Sequence, residues 1–305
     1  MATTQGIELL KKTAVQSFWN RYTTEPDVFE GLMDVRQSTQ STDTLPRFGS
    51  APMPAAMLGD LEYKAANEYS YSITNNRYRA GLRIGAKTIK FEQWPEVANL
   101  VGNMGSKARL HPQSLATTLI ASGFVSTGED GHPFYHTAHA DPGAEYTTAQ
   151  DNDLTQNIGT PASPTDIEAA AGIRAKINAF YSFKDDRGDP FVLDPIGPEN
   201  LVIMCAPTHA TMVRRVLKAS DLTGPVGNDL QGSFDVRVNR RITTTDVIYG
   251  FIKSSVHKPI VMQQAGGVEL YDHFDQKSGD YFFGCEWWGN VAFGNWRTVV
   301  GTTWT

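Results

Sequence analysis

The residues with the clearest capacity for chemistry lie close together in the middle of the chain. Three of the seven histidines, His132, His136 and His139, fall within eight positions, directly after Glu129 and Asp130. Imidazole nitrogens and carboxylate oxygens are common ligands of Zn²⁺. On a helix, this spacing would bring the three imidazoles to one face. The pattern therefore suggests a metal-dependent hydrolase centred on the histidine cluster.

The residues between the histidines point to a different role. Gly131 and Pro133 disfavour a helix through 132–139, because glycine adds backbone freedom and proline lacks an amide hydrogen. In a loop, sequence spacing does not fix where the imidazoles point. We therefore interpret the histidines first as hydrogen-bonding groups that fasten a loop to the body of the protein. Metal binding by His132, His136 and His139 is kept as the alternative.

Other catalytic motifs are missing from the sequence. It lacks a Gly-x-Ser-x-Gly nucleophile turn, a Gly-x-x-x-x-Gly-Lys phosphate loop and a Gly-x-Gly-x-x-Gly dinucleotide fingerprint. Cys205 and Cys285 have no neighbouring histidine, and we expect two buried free thiols rather than a disulfide. Arg187-Gly188-Asp189 is interpreted as an ordinary turn. The sequence thus predicts no catalytic residue, no metal ligand and no cofactor.

The composition predicts a folded protein with a substantial core, since 40% of the 305 residues are hydrophobic. A net charge of -6 argues against a protein that grips nucleic acid, because such proteins usually present a basic surface to phosphates. It is compatible with a container that encloses nucleic acid without binding it tightly. No window approaches the ~18 apolar residues of a membrane span. The first residues do not resemble a secretory signal, so we expect a protein made inside a cell.

The first third of the chain contains an arm-like stretch and a β-rich stretch. Residues 5–35 carry apolar positions at mixed helical spacing, whereas 36–56 are polar and rich in proline. The proline-rich part cannot bury much surface, and it suggests either an extended arm or an unstructured tail. Between 69 and 84, alternating side chains flank Asn75-Asn76, which predicts a β-hairpin with a tight turn.

A long helix and a long loop follow. Apolar residues at spacings of three and four predict a helix from Pro95 to Gly123, interrupted at Pro112. Residues 126–163 show little periodicity and predict a loop of a length that is usually functional or tied to a partner.

The remainder of the chain mixes helices and strands. Ser163 is predicted to cap a helix whose buried face continues to Phe180. A buried strand is predicted at 200–206, and from Val236 onward the pattern is mostly β. The predicted fold class is α+β.

The order of these features resembles the Mu-like major head subunit family of tailed phages, whose shell proteins have the HK97-type capsid fold. The resemblance covers roughly residues 60–300. It depends on the order of the elements more than on any single motif, and Gln93-Trp94-Pro95 departs from it, because an acidic pair is expected before the helix. The residues that carry it are Asp130-Gly131, Phe134-Tyr135 and His139 after a helix ending at Gly123, His111-Pro112 to Leu119, Tyr69 to Ile84 with Lys87-Thr88-Ile89, and Val291 to Trp296.

The resemblance implies an HK97-type major capsid fold with five parts. These are an N-terminal arm at 1–60, an extended E-loop hairpin at 61–94, a peripheral domain with a long spine helix and loop at 95–163, an axial domain at 164–250, and return strands of the peripheral domain at 251–305.

The resemblance also implies a function: a major capsid (head) protein of a tailed phage or prophage. Such a protein self-assembles into hexamers and pentamers of an icosahedral shell enclosing double-stranded DNA, which it does not bind sequence-specifically. Expected partners are further copies of the chain, a separate scaffold protein, a portal and a decoration protein. The expected location is the virion, after assembly in the host bacterial cytoplasm.

Two groups of residues are singled out under this interpretation. Asp130, Gly131, Phe134, Tyr135 and His139 mark a structural loop. The basic hairpin supplies candidates for contact between subunits, with the acidic loop at 141–153 as one possible partner: Asn75, Asn76, Arg77, Arg79 and Arg83. A third alternative, a receptor- or carbohydrate-binding virion protein, is suggested by Trp287, Trp288 and Trp296, although core or interface positions suit these tryptophans better.

Overall fold

The computed structural model describes residues 4–51, 68–91, 94–141, 143–161, 163–192, 195–222, 226–254 and 256–305. Its helices are α1 (Thr4–Thr24), α2 (Ala86–Lys90), α3 (Trp94–Ser122), α4 (Asp166–Ser182) and α5 (Ala210–Lys218). Its strands are β1 (Met33–Gln37), β2 (Thr42–Phe48), β3 (Glu68–Thr74), β4 (Asn76–Ile84), β5 (Asp153–Gln156), β6 (Leu201–Cys205), β7 (Asp221–Leu222), β8 (Val226–Gly227), β9 (Asp235–Val238), β10 (Val247–Ile252), β11 (Ile260–Gln264), β12 (Glu269–Phe274), β13 (Tyr281–Phe293) and β14 (Val299–Trp304).

The first sheet has the order β1-β11-β13-β12, and β4 also pairs with β13. Side chains alternate along β13, so one face of the sheet is buried and the other meets solvent. Tyr281, Phe283 and Cys285 face a core that α1 and α3 complete, whereas Phe282 and Trp288 remain partly exposed. This sheet and its two helices form one layered unit.

The second sheet has the order β5-β14-β10-β6-β9. Every residue of β6 and β10 is buried, as their uninterrupted apolar sequences require. Helix α4 packs on this sheet and on α5. Strand β14 belongs to this sheet, whereas β11, β12 and β13 belong to the first; the assignment of 251–305 to the peripheral part stays a prediction.

Helix α3 confirms the predicted spine, but it continues through Pro112 without restarting. A proline inside a helix costs about 3 kcal/mol, and the packing of its neighbours offsets this. The ring of His111 lies 4.3 Å from that of Tyr78. The amide of Gln113 accepts from Val28 N at 3.2 Å and donates to the Pro26 carbonyl at 3.2 Å.

Glycines in α3 allow α1 to approach it very closely. A Cβ atom at Gly105 would lie 2.3 Å from the carbonyl oxygen of Phe18, and one at Gly102 would lie 2.8 Å from Ser17 Oγ. The Ser17 hydroxyl donates to the Ala98 carbonyl at 2.6 Å. Residues 4–24 thus form a helix that packs on α3; the N-terminal arm at 1–60 stays a prediction.

The predicted hairpin between 69 and 84 is wrong in its pairing, although both strands exist. Strand β3 pairs with β2, and β4 pairs with β13 along its whole length. The cause lies at Asn75, whose amide group donates to Ser38 Oγ at 2.9 Å and to the Gln40 carbonyl at 2.8 Å. Asn75 therefore holds the chain at the point where it passes from the pairing with β2 to the pairing with β13, and it does not form a tight turn. The two-stranded element is β2–β3, here called the ribbon, and its connection at 52–67 lies outside the described residues.

The start of α4 also differs in detail from the prediction. Thr165, not Ser163, is the N-cap, and Glu168 completes a capping box. Both residues satisfy backbone amides at the helix start. The cap lies two positions further along because Thr165, unlike Ser163, has a glutamate three residues after it.

Candidate functional site

The His139 loop, residues 123–152, is organised around one buried imidazole. His139 Nδ1 lies 2.5 Å from Asp130 Oδ2, and Nε2 lies 3.0 Å from Asn152 Oδ1. The ring stacks on Trp296 with centroids 4.2 Å apart. His139 is fully buried, so these contacts replace all of its contact with water.

The surroundings of His139 give both of its ring nitrogens an oxygen partner. Asn152 Nδ2 donates to the carbonyls of Phe134 and Trp296, at 2.9 and 3.3 Å, which turns Asn152 Oδ1 towards the imidazole. Burial raises the pKa of Asp130, but the hydrogen bond and charge of His139 outweigh it, so the pKa lies below its ordinary value. Asp130 and His139 form a buried, hydrogen-bonded pair.

This arrangement does not favour a metal site. Both ring nitrogens of His139 already contact side-chain oxygens of the same chain, at 2.5 and 3.0 Å. His132 and His136 stack on each other with centroids 4.6 Å apart, and His136 Nδ1 accepts from Ala138 N at 3.1 Å. No group of three or more potential ligands that could hold a metal ion occurs in the described parts of the chain. Nothing in the geometry supports the hydrolase hypothesis.

The other predicted residues of the loop connect it to the body. Phe134 stacks on Phe293 with centroids 4.3 Å apart. Tyr135 is so close to Gly123 that a Cβ there would lie 2.7 Å from its ring. Gly131 has a φ of +81°, a conformation that glycine adopts without cost. The structure thus brings Asp130 and His139 into one buried hydrogen-bonded pair and Phe134 and Tyr135 into the core.

Sequence reasoning missed the second half of this network. Arg297 is 2% exposed; its guanidinium donates to Asp141 Oδ2 at 2.8 Å and to the Lys184 carbonyl at 2.7 Å. It also lies over the Trp296 ring, 4.1 Å from the centroid. Asn152 and Arg297 carry no local pattern that marks them as buried. The apolar run before Trp296 was the available signal for the position of Arg297.

The arginines of β4, here called the arginine strand, are paired within their own subunit. Arg77 donates to both oxygens of Glu286 at 2.8 Å, and Arg79 lies 3.1 Å from the same carboxylate. Arg83 Nε donates to Asp280 Oδ2 at 2.8 Å. The pairing follows from the register, which places Arg79 directly opposite Glu286. These residues are pre-ordered before any neighbour arrives.

The electrostatics of the arginine strand follow from its partners. The hydrogen bond from Arg77 lowers the pKa of Glu286. A bond from the Ala86 amide, followed by that from Arg83, lowers the pKa of Asp280. The arginine side chains nevertheless remain 46–68% exposed. Asn76 lies at the end of the strand opposite Gly289. A contact of Asn75, Asn76, Arg77, Arg79 or Arg83 with another subunit stays a prediction.

Comparison with known proteins assigns the family. Residues 7–163, just over half of the chain, match the family model of the Mu-like prophage major head subunit gpT. The chain belongs to this family. The Mu-like prophage FluMu major head subunit of Haemophilus influenzae is 25% identical over 114 residues, which cover 37% of this chain and 37% of that protein.

Several solved shell proteins share the fold of this chain. The procapsid of bacteriophage JBD30 matches with a TM-score of 0.56 and 17% identity, covering 99% of this chain and 76% of that one. The capsid of cyanophage P-SCSP1u matches with a TM-score of 0.61 and 11% identity, covering 92% and 89%. A virus-like particle from Pyrococcus furiosus matches with a TM-score of 0.58 and 7% identity, covering 95% and 98%. The HK97-type capsid fold and the α+β class are confirmed.

Proposed function

We propose that this chain is the major shell subunit of a tailed-phage or prophage head, which assembles with its own copies into hexamers and pentamers of an icosahedral shell around double-stranded DNA. The observation that carries the proposal is the match of 92–99% of the chain to the shell proteins of two phages, together with the head-subunit family match. The described residues include no helix long and apolar enough to cross a membrane.

The ribbon supports an assembly role. A two-stranded ribbon is marginal when isolated, and polar pairs such as Thr42–Thr74 and Thr44–Ser72 line its exposed side. Such an element gains stability from another surface. We assign the E-loop role to the ribbon, in place of 61–94, and we expect the ribbon to lie against a neighbouring subunit.

The two layered units suit the remaining parts of a shell subunit. In our proposal the first sheet with α1 and α3 is the peripheral domain, and the second sheet with α4 and α5 is the axial domain at the centre of each hexamer or pentamer. The arginine side chains of β4 lie on the exposed face of the peripheral sheet, where their guanidinium groups can reach carboxylates of a neighbour. Each such contact is worth only ~0–1 kcal/mol, but a shell repeats it many times.

The expected partners beyond the chain itself are a separate scaffold protein, a portal and a decoration protein. The net charge of -6 supports a wall that encloses DNA without adhering to it. We expect no catalytic activity. Assembly would take place in the bacterial cytoplasm, and the mature location would be the virion.

Imaging of the overexpressed full chain tests the proposal. We expect rings, closed shells or related assemblies in negative-stain images, and fast-sedimenting species in analytical ultracentrifugation. The chain should be tested alone across protein and salt concentrations, and after co-expression with the adjacent head genes of its source. A chain that remained monomeric under all of these conditions would contradict the proposal.

A further inference from the structure

The ribbon is held at one end by a turn far away in the sequence. The N–H of Ser50 donates to Asp186 Oδ1 at 2.8 Å, and the carbonyl of Ser50 accepts from Arg187 Nε at 2.7 Å. Both backbone polar groups of one residue are therefore bound by adjacent side chains of the turn at 185–189. Ser50 lies two residues after the end of β2, at the opposite end of the ribbon from Asn75, where β3 joins β4.

The fit at this point excludes a side chain on the residue before Ser50. A Cβ atom at Gly49 would lie 2.1 Å from Asp186 Oδ2 and 2.9 Å from Asp186 Cγ. The carboxylate thus occupies the space that any other residue would need. Asp186 is 4% exposed, so the backbone of Gly49 and Ser50 contacts a carboxylate that is itself buried.

The turn itself is firmly connected to the His139 loop. Arg187 Nη1 lies 3.1 Å from Glu145 Oε1, and the carbonyl of Asp186 accepts from Tyr146 N at 3.0 Å. Just before the turn, the N–H of Lys184 donates to Gln150 Oε1 at 2.6 Å. Gln150 in turn forms a β-bridge with His139. The end of the ribbon near Ser50 is therefore connected through the turn to the buried pair of Asp130 and His139.

We propose that Asp186 and Arg187 anchor the ribbon at Ser50, the end opposite Asn75, and so fix the direction in which the ribbon lies on its subunit. The sequence Arg187-Gly188-Asp189 forms the predicted turn, but the turn's role is to present two adjacent side chains to a distant backbone. Because the ribbon is the element assigned to contact a neighbour, this direction decides whether that neighbour can be reached. This inference rests on the proposed shell function, and it assigns to the turn the positioning of the ribbon before assembly.

Hydrogen exchange measured by mass spectrometry on the full, unassembled chain tests the anchor. Asp186→Ala removes the acceptor of the Ser50 amide, and Gly49→Ala displaces the backbone while leaving the turn unchanged. We expect peptides that contain Ser50 to exchange about tenfold faster in both variants, because a partly buried hydrogen bond that protects the amide is lost. Asp189→Ala is the matched control, since this residue lies in the same turn and its carboxylate makes no hydrogen bond to Ser50. It should exchange like the unaltered chain.

Particle formation provides the second measurement. In negative-stain images, Asp186→Ala and Gly49→Ala should give fewer closed shells than Asp189→Ala. Unchanged exchange at Ser50 in both variants would overturn the anchor. Faster exchange with normal shells would overturn its role in assembly. If circular dichroism shows that Asp186→Ala does not fold, the result for Gly49→Ala alone decides whether the anchor exists. If the unaltered chain forms no assemblies, the shell function fails, while the exchange result still decides whether the anchor exists.

Discussion

The His139 loop and the arginine strand both contain charged pairs, and they differ in how much water surrounds them. The pair of Asp130 and His139 is buried, with side chains 1% and 0% exposed. The arginines of β4 remain about half exposed although each has a carboxylate partner. A buried charge without its partner is severely penalised, whereas water replaces a lost partner at the surface. The loop should therefore matter for folding, and the strand should matter mainly for encounters with other subunits.

The largest expected effect comes from removing the imidazole at the centre of the loop. His139→Ala leaves the Asp130 carboxylate buried without its hydrogen-bond partner and opens a cavity beside Trp296. We expect the free energy of unfolding to fall by ~3–5 kcal/mol, measured by urea denaturation. His132→Ala is the control, because that ring is partly exposed, stacks on His136 and meets His139 edge to face. Equal losses in the two variants, or normal particles of normal heat stability from His139→Ala, would contradict the structural role.

A matched pair of carboxylates compares the two regions directly. Asp141 binds Arg297 in the interior, and Glu286 binds Arg77 at the surface. Asp141→Asn should lower the free energy of unfolding by ~2–4 kcal/mol, because it leaves a buried guanidinium without its anion. Glu286→Gln should leave the denaturation midpoint of the unassembled chain unchanged within error. The comparison fails if the surface variant is the more destabilised of the two.

A buried amine extends the comparison to a group with no carboxylate partner. Lys176 is 1% exposed, its amine donates to Thr302 Oγ1 at 2.5 Å, and burial lowers its pKa to about 7. The folded chain therefore loses this proton at lower pH than the unfolded chain, so stability rises as the pH increases from about 7 towards about 10.

Substitution of Lys176 tests this pH dependence. Lys176→Met should raise the free energy of unfolding at pH 6 by ~1–3 kcal/mol, since a buried charge is replaced by a side chain of similar volume. The gain should shrink at pH 9, where the lysine is neutral in the folded chain. Lys218→Met, at an exposed position on α5, is the control. A gain independent of pH would show that the amine is not the cause.

The smallest expected effect is a change in how steeply the free energy of unfolding varies with pH in acid. The folded-state pKa of Asp130 lies below its ordinary value, so its contribution to stability is complete above about pH 4 and is lost as the pH falls through the folded-state pKa. In Asp130→Asn, the free energy of unfolding should therefore vary less steeply between about pH 5 and pH 3. Denaturation series at several pH values measure the slope. Parallel slopes would indicate that Asp130 is already protonated in the native chain.

The fold was predictable where local patterns and buried faces coincide. The spine helix, the fully apolar β6 and the loop after Gly123 all followed from periodicity and from turn residues. The pairing of β3 and β4 was not predictable, because Asn75 suits a tight turn equally well and its actual bonds to Ser38 and Gln40 are long-range. The packing of α1 against α3 was missed for a similar reason. This packing depends on Gly102 and Gly105, and from the sequence alone these glycines indicate only a weaker helix.

The candidate site was predictable in its residues but not in its geometry. Asp130 and His139 were singled out together, yet nothing in the sequence shows which of the three histidines is buried. The partners Asn152, Asp141 and Arg297 come from three distant segments. Polar residues of this kind are mostly exposed, so their burial follows from the tertiary contacts alone.

The change of sheet at Asn75 has a mechanical consequence. A single residue separates the ribbon from β4, and β4 is joined to β13 through nine consecutive residue pairs from Asn76–Gly289 to Ile84–Tyr281. A neighbour that pulls on the ribbon along the strand axis therefore loads those pairs in shear, so that they resist together instead of opening one after another. Tension between subunits would therefore be transmitted directly to the middle of the first sheet, because only one residue links the ribbon to β4.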